Sequence, residues 1–203
     1  ATMGNQVALL ILGQRATEVV VEETAHIIVS ELGGAAVHAG LQVHGVRGNQ
    51  GRISSEQIRE TMHEDGSFHT PRTSVVAREN THNNAGWTVW PLEELQDVTS
   101  TARELGLKLH LDGARLANAV SALGCDVREI TIDAGVDVVS FGGTKNGMMY
   151  GEAVVFLDPE LGSNAKFIRK QATQLPSKMR FVSAQFERLL ANDRWPSNAA
   201  NAH

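Results

Sequence analysis

Four short β-rich runs of this chain end in side chains able to do chemistry. Val19–Glu22 is followed by His26 and, five residues later, Glu31. Ser74–Glu79 runs into Asn80, Thr81 and His82. Leu107–Asp112 ends in a carboxylate, with Gly113 and Arg115 next. Val136–Phe141 opens into Gly142, Gly143, Thr144 and Lys145, with four glycines between 142 and 151. An isolated Asp-Gly most often caps a helix, and a lone histidine is most often structural. The order of these groups at successive strand ends says more. A lysine among glycines and hydroxyls suits a Schiff base, because its amine must be partly desolvated to act as a nucleophile. The Gly-x₄-Gly-Lys-Ser/Thr spacing of a phosphate loop is absent, so Lys145 is not read as that kind of lysine. An aspartate about thirty residues before a lysine, each at a strand end, is the layout a pyridoxal phosphate site requires. The lysine carries the cofactor and the aspartate keeps its pyridine nitrogen protonated. A helix N-terminus supplies backbone N–H groups for the phosphate, and Thr2–Gly4 is such a terminus.

Those residues need elements to hold them, and the apolar pattern alternates between two periods. Helical spacing is predicted over 2–13, 26–33, 54–63, 91–105, 114–123, 159–174 and 178–191. The β-runs named above, with Gln42–Val46 and Ala153–Leu157, fall between them. Thr2 is the expected N-cap of the first helix, and Pro91-Leu92-Glu93-Glu94 reads as a helix start with proline in the first turn. Strand–helix alternation predicts a three-layer α/β domain with a mostly parallel sheet, and nothing marks a domain boundary within it. In such sheets ligands bind outside the carboxyl ends of the strands, where His26, His82, Asp112 and Lys145 stand.

In matching order, five motifs resemble the threonine aldolase family. They are Ala1-Thr2-Met3-Gly4-Asn5-Gln6, Ala25-His26-Ile27, Glu79-Asn80-Thr81-His82-Asn83, His110-Leu111-Asp112-Gly113-Ala114-Arg115 and Thr144-Lys145-Asn146-Gly147. Ser140–Gly147 is most similar to the low-specificity L-threonine and phenylserine aldolase branch. The resemblance implies the aspartate-aminotransferase-like fold (fold type I), with residues 1–203 as most of its large, cofactor-binding domain. It implies cleavage of β-hydroxy-α-amino acids to glycine and an aldehyde by a homo-oligomer, dimer or tetramer, with sites at subunit interfaces. Lys145 matches the cofactor-bearing lysine, Asp112 the partner of the pyridine nitrogen and His26 the histidine stacked on the ring. Thr2 and Met3 fall in the phosphate-binding turn, which Arg180 resembles an arginine reaching from a neighbouring subunit. Arg115 matches an arginine on the substrate carboxylate, His82 a histidine near the substrate hydroxyl and Glu31 a glutamate tied to a catalytic water. Ala1 stands where the family usually has glycine, and Gln171–Lys178 replaces its usual glycine-rich stretch. The family's N-terminal substrate serine and second carboxylate-binding arginine have no match here. The expectation is a segment of a longer protein, without its N-terminal arm and C-terminal small domain, and inactive alone.

Composition narrows the alternatives. The 203 residues carry a net charge of −5, which argues against a dedicated nucleic-acid binder. The longest apolar run, Val7–Leu12, is far short of the ~20 residues of a membrane span. A single cysteine, Cys125, fits a reducing, cytoplasmic setting. No pair of the eight histidines has the local spacing of a metal site, so none is expected. Two other readings stand beside the aldolase. One is a different fold-type-I reaction such as β-elimination. The other is a non-catalytic binding module using Lys166, Arg169, Lys170, Lys178, Arg180 and Arg188, which face only Glu160 and Glu187 within 159–190. A solvated helix face is the favoured account of that basic stretch.

Overall fold

The computed structural model of the chain describes residues 1–63 and 68–202. Strands β1 (Glu18–Glu22), β2 (Gln42–Val46), β3 (Thr73–Glu79), β4 (Lys108–Gly113), β5 (Val138–Gly142) and β6 (Glu152–Phe156) form one sheet. Their order is β2-β1-β3-β4-β5-β6, parallel throughout except for the antiparallel β5–β6 pair. The valine and leucine runs of β1, β3, β4 and β5 are buried on both faces, as parallel strands covered by helices must be.

Alternation along each strand divides the core into two layers. Val19, Val21, Val75, Ala77 and Val138 pack against Ala8, Leu9 and Leu12 of α1 (Thr2–Leu12). Ile27 of α2 (His26–Val29) and the wide π-type turn Ala35–Ala39 lie in the same layer. Val20, Val76, Leu109, Leu111 and Val139 face the opposite side. There they meet α3 (Ser55–Thr61), α4 (Leu92–Glu104), α5 (Leu116–Leu123) and α6 (Val127–Ile130). This is the three-layer architecture that the sequence predicts. After β6 come α7 (Ala165–Gln171), α8 (Arg180–Leu190) and α9 (Arg194–Ala200). Val182 and Leu189 of α8 bury against Met148, beside Phe141, Phe186 and Trp195.

Several local expectations are corrected. Ala1, not Thr2, is the cap position of α1, and no side chain caps it. Pro91 likewise precedes α4 as its cap residue, with Glu93 and Glu94 in the first turn as expected. Arg115 is the cap residue of α5 rather than part of that helix. The helix expected over 26–33 stops at Val29, and Gly33-Gly34 lead into the π-type turn. That expected over 159–174 shrinks to Ala165–Gln171, because Pro159 to Asn164 form turns. Among the described residues no helix is long and apolar enough to cross a membrane.

Candidate active site

The carboxyl ends of β1, β3 and β4 converge under the first turns of α1. Register pairs Glu79 with Asp112 and Asp112 with Ser140, so three polar side chains lie in a row on the α1 face of the sheet. Asn5 projects from α1 onto this row. Its Nδ2 donates to Asp112 Oδ2 at 2.7 Å and to Glu31 Oε1 at 2.8 Å. Asp112 Oδ1 accepts the Ala114 N–H at 3.0 Å. His26 Nδ1 lies 2.9 Å from the same Glu31 oxygen, and the His26 N–H donates to Glu79 Oε2 at 2.9 Å. Asn5, Glu31, Glu79 and Asp112 are buried, while the His26 side chain keeps about a fifth of its surface open.

Electrostatics follow from this packing. The hydrogen bond to Glu31 raises the His26 pKa, aided by the charges of Asp112, Glu31 and Glu79 against the opposing effect of burial. Beneath the row, His110 Nε2 sits 3.0 Å from Ser140 Oγ. Burial lowers the His110 pKa to about 4, despite the nearby Asp112 and Glu31 carboxylates. Two buried oxygens of the cluster, Asn5 Oδ1 and Glu31 Oε2, have no hydrogen-bond partner.

Lys145 stands on an exposed 3₁₀ turn, Thr144–Asn146, one residue beyond the carboxyl end of β5. The turn is pinned on both sides. The N–H groups of Gly143 and Thr144 both donate to Gly151 O at 3.1 Å, and Asn198 of α9 donates to Asn146 O at 2.9 Å. Thr2 is exposed, and Met3 and Gly4 are partly so, at the open N-terminal end of α1. No acidic residue occupies that first turn.

The other expected residues lie apart. His82 is fully buried, with Nε2 3.1 Å from Glu22 Oε2 and 3.8 Å from Glu79 Oε2. Glu79 Oε2, which accepts the His26 N–H, thus lies near His82 Nε2 without hydrogen-bonding it. Arg115 is partly buried at the start of α5. Arg180 is exposed at the start of α8, its guanidinium 4.8 Å from the Phe181 ring centre, and is not brought to the cluster. The reading of the sequence gave Asn5 and Glu79 no role of their own. The signal for Asn5 was there: Asn5 and Gln6 interrupt the buried stripe of an otherwise apolar helix.

Comparisons with known proteins give the family and the fold. The beta-eliminating lyase family model matches residues 1–201. A low specificity L-threonine aldolase from a Pseudomonas species is 39% identical over 203 residues, all of this chain and 58% of that protein. A second from Pseudomonas aeruginosa is 38% identical over the same shares. The chain therefore spans 58% of the length of these curated relatives. A threonine aldolase structure from Leishmania major superposes with a TM-score of 0.89 at 30% identity, covering 99% of this chain and 58% of that one. Aspartate aminotransferase from Thermus thermophilus shares the fold, with a TM-score of 0.70 at 17% identity over 100% of this chain and 53% of that one. Motifs, fold and relatives converge: the chain belongs to the beta-eliminating lyase family, alongside the low specificity L-threonine aldolases.

Proposed function

We propose that this chain is the large domain of a pyridoxal 5′-phosphate-dependent lyase. It cleaves L-threonine, L-allo-threonine and related β-hydroxy-α-amino acids to glycine and an aldehyde. The observation that carries the reading is the buried hydrogen-bonded row Asp112–Asn5–Glu31–His26 at the strand ends, with Lys145 on the adjoining turn. The residues present fit the cofactor. Asp112 is a buried carboxyl group whose oxygens each accept one hydrogen bond and keep capacity for another, as a protonated pyridine nitrogen needs. The first N–H groups of α1, at Thr2, Met3 and Gly4, have no acceptor within the helix and suit a phosphate. The orphaned Glu31 oxygen marks a place where a partner belongs. When bound, pyridoxal phosphate supplies an electron sink for the pair released as Cα–Cβ breaks.

The chain's own groups then divide the work. Lys145 Nζ holds the cofactor covalently between turnovers. Arg115 would bind the substrate carboxylate and so fix the orientation of the breaking Cα–Cβ bond. His26 presents its ring face to the cofactor, and its free Nε2 accepts the β-hydroxyl proton. Glu31 on Nδ1 stabilises the imidazolium that results. His82, enclosed beside Glu22 and Glu79, is assigned to the substrate-hydroxyl side of the site. Arg180 is assigned to the phosphate of a neighbouring subunit. That reading entails a homo-oligomer, and the exposure of Leu32, Trp87 and Met149 supports one. The lone cysteine supports a cytoplasmic location.

Two measurements test the proposal in the protein with its remaining domain. Incubation with L-threonine or phenylserine yields glycine and the matching aldehyde. Ammonia and a keto acid instead would replace cleavage with β-elimination. Lys145→Ala removes the absorbance of the lysine–cofactor linkage near about 420 nm. Persistence of that band would refute the lysine assignment.

A further inference from the structure

A second cluster of metal-ligating groups lies at the opposite end of the sheet, where β1, β2 and β3 begin. The β1–β2 register pairs Glu18 with Gln42 and Val20 with His44, which puts Glu18 and His44 on one face. His63 follows α3 and is locked to the first residue of β3. The His63 N–H donates to Thr73 Oγ1 at 2.9 Å, and the Thr73 N–H donates to His63 O at 3.0 Å. His44 Nδ1 lies 3.3 Å from Glu18 Oε2, and His63 Nδ1 lies 3.3 Å from Glu18 Oε1. The Glu18 side chain is fully buried, whereas the two imidazoles are about one-third exposed.

We propose that Glu18, His44 and His63 bind a divalent transition-metal ion of the zinc class. Their donor atoms all lie within 4.8 Å of one another. Ligands held about 2.0–2.1 Å from a tetrahedral zinc ion stand about 3.4 Å apart; each imidazole lies at about that distance from one carboxylate oxygen, His44 from Oε2 and His63 from Oε1, so an ion between the rings faces the carboxylate as a whole. The His63 Nδ1 atom is buried and makes no hydrogen bond, although a carboxylate oxygen faces it. A cation between the two would take both atoms as ligands and give the buried nitrogen the partner it lacks. Thr73 Oγ1 donates to Glu18 Oε1 at 2.9 Å and Gln42 Nε2 to Oε2 at 3.4 Å, which orients the carboxylate as the outer groups of metal sites do. Two imidazoles with one carboxylate favour zinc, cobalt, nickel or copper over magnesium or calcium. The half-open rings leave water a fourth position.

The other such group, His26, Glu31 and Asp112, belongs to the candidate active site. There Asn5 Nδ2 already donates into the space between the two carboxylates. In the Glu18 cluster the donors Thr73 Oγ1 and Gln42 Nε2 each reach a single oxygen of one carboxylate and bridge no two of the proposed ligands. Local spacing could not announce this site, because its ligands come from β1, β2 and the connection to β3.

Calorimetric titration of the chelator-treated, cofactor-loaded protein with Zn²⁺ tests the proposal. One equivalent binds per chain, and His44→Gln and His63→Gln each weaken it by about 10-fold or more. These partly exposed positions tolerate glutamine, whereas Glu18→Gln risks the fold. His26→Gln leaves the zinc affinity unchanged. The lysine–cofactor absorbance is the same with and without zinc, so the result is independent of the function proposed above. Absence of binding, binding that survives the double His44→Gln, His63→Gln variant, or loss of binding in His26→Gln overturns the site.

Discussion

Asn5 holds two buried carboxylates in place with one amide nitrogen, which makes it the most consequential side chain outside the expected set. Leucine there would leave Asp112 and Glu31 without their shared donor. The expected cost is about 1–3 kcal/mol, read as a lower urea midpoint at unchanged slope. Glu31 in turn sets the proton affinity of His26. Because the hydrogen bond to Glu31 is the largest cause of the raised pKa, Glu31→Gln lowers it, which an NMR titration of the His26 ring protons measures directly. The sign for stability follows. A histidine whose pKa is raised on folding stabilises below its unfolded value of about 6.5, and that contribution fades as pH climbs through the folded value. Glu31→Gln therefore loses more stability at pH 5 than at pH 8. An equal loss at both pH values would show that the hydrogen bond does not favour the imidazolium.

The elements place Lys145 through backbone contacts as much as through its own loop. A Cβ at Gly142 would come 2.2 Å from Ala114 O, in the turn between β4 and α5. Backbone cannot yield there as a flexible side chain would. Gly142→Ala therefore pushes β5 away from β4 and carries the lysine turn with it. A loss of about 2–4 kcal/mol is expected, with a weakened lysine–cofactor band. A wild-type melting temperature in that variant would sink this account. The strands were legible to within two residues, since runs such as Val19–Val21 and Val138–Val139 carry their own signal. Helices were less so. α6 was missed although Asp126 and Glu129 form a complete capping box. α9 was missed because its docking depends on distant partners, Trp195 on Phe141 and Asn198 on the lysine turn. The same limit explains the site. His26, Asp112 and Lys145 could be found at strand ends, but the bridge from Asn5 and the enclosure of His82 arise only when separate elements meet. His82, for instance, is shut in by Glu22 from β1 and by Gly51, where an added Cβ would lie 2.5 Å from its ring.

At the scale of the whole molecule, the sheet separates a buried polar cluster at its carboxyl end from a histidine–carboxylate cluster at its amino end, and the fold must bury polar groups at both. The carboxyl-end cluster demands a concession from His110, which is fully buried on β4 beside Asp112. Its pKa of about 4 means that acid protonates the unfolded chain before the folded one. Between pH 6.5 and 4 the unfolded state binds the additional proton, so this group makes stability fall as pH is lowered through that window. The lowering from 6.5 corresponds to about 3 kcal/mol across the window, opposite in sign to the contribution of His26. His110→Gln has no proton to bind there, and glutamine can still reach Ser140. Urea unfolding of the two proteins at pH 4 and pH 7 isolates the effect. The stability of the parent relative to the variant increases by roughly 3 kcal/mol from the lower pH to the higher. A constant difference would mean that His110 is protonated in the folded state, and that the nearby carboxylates outweigh its burial.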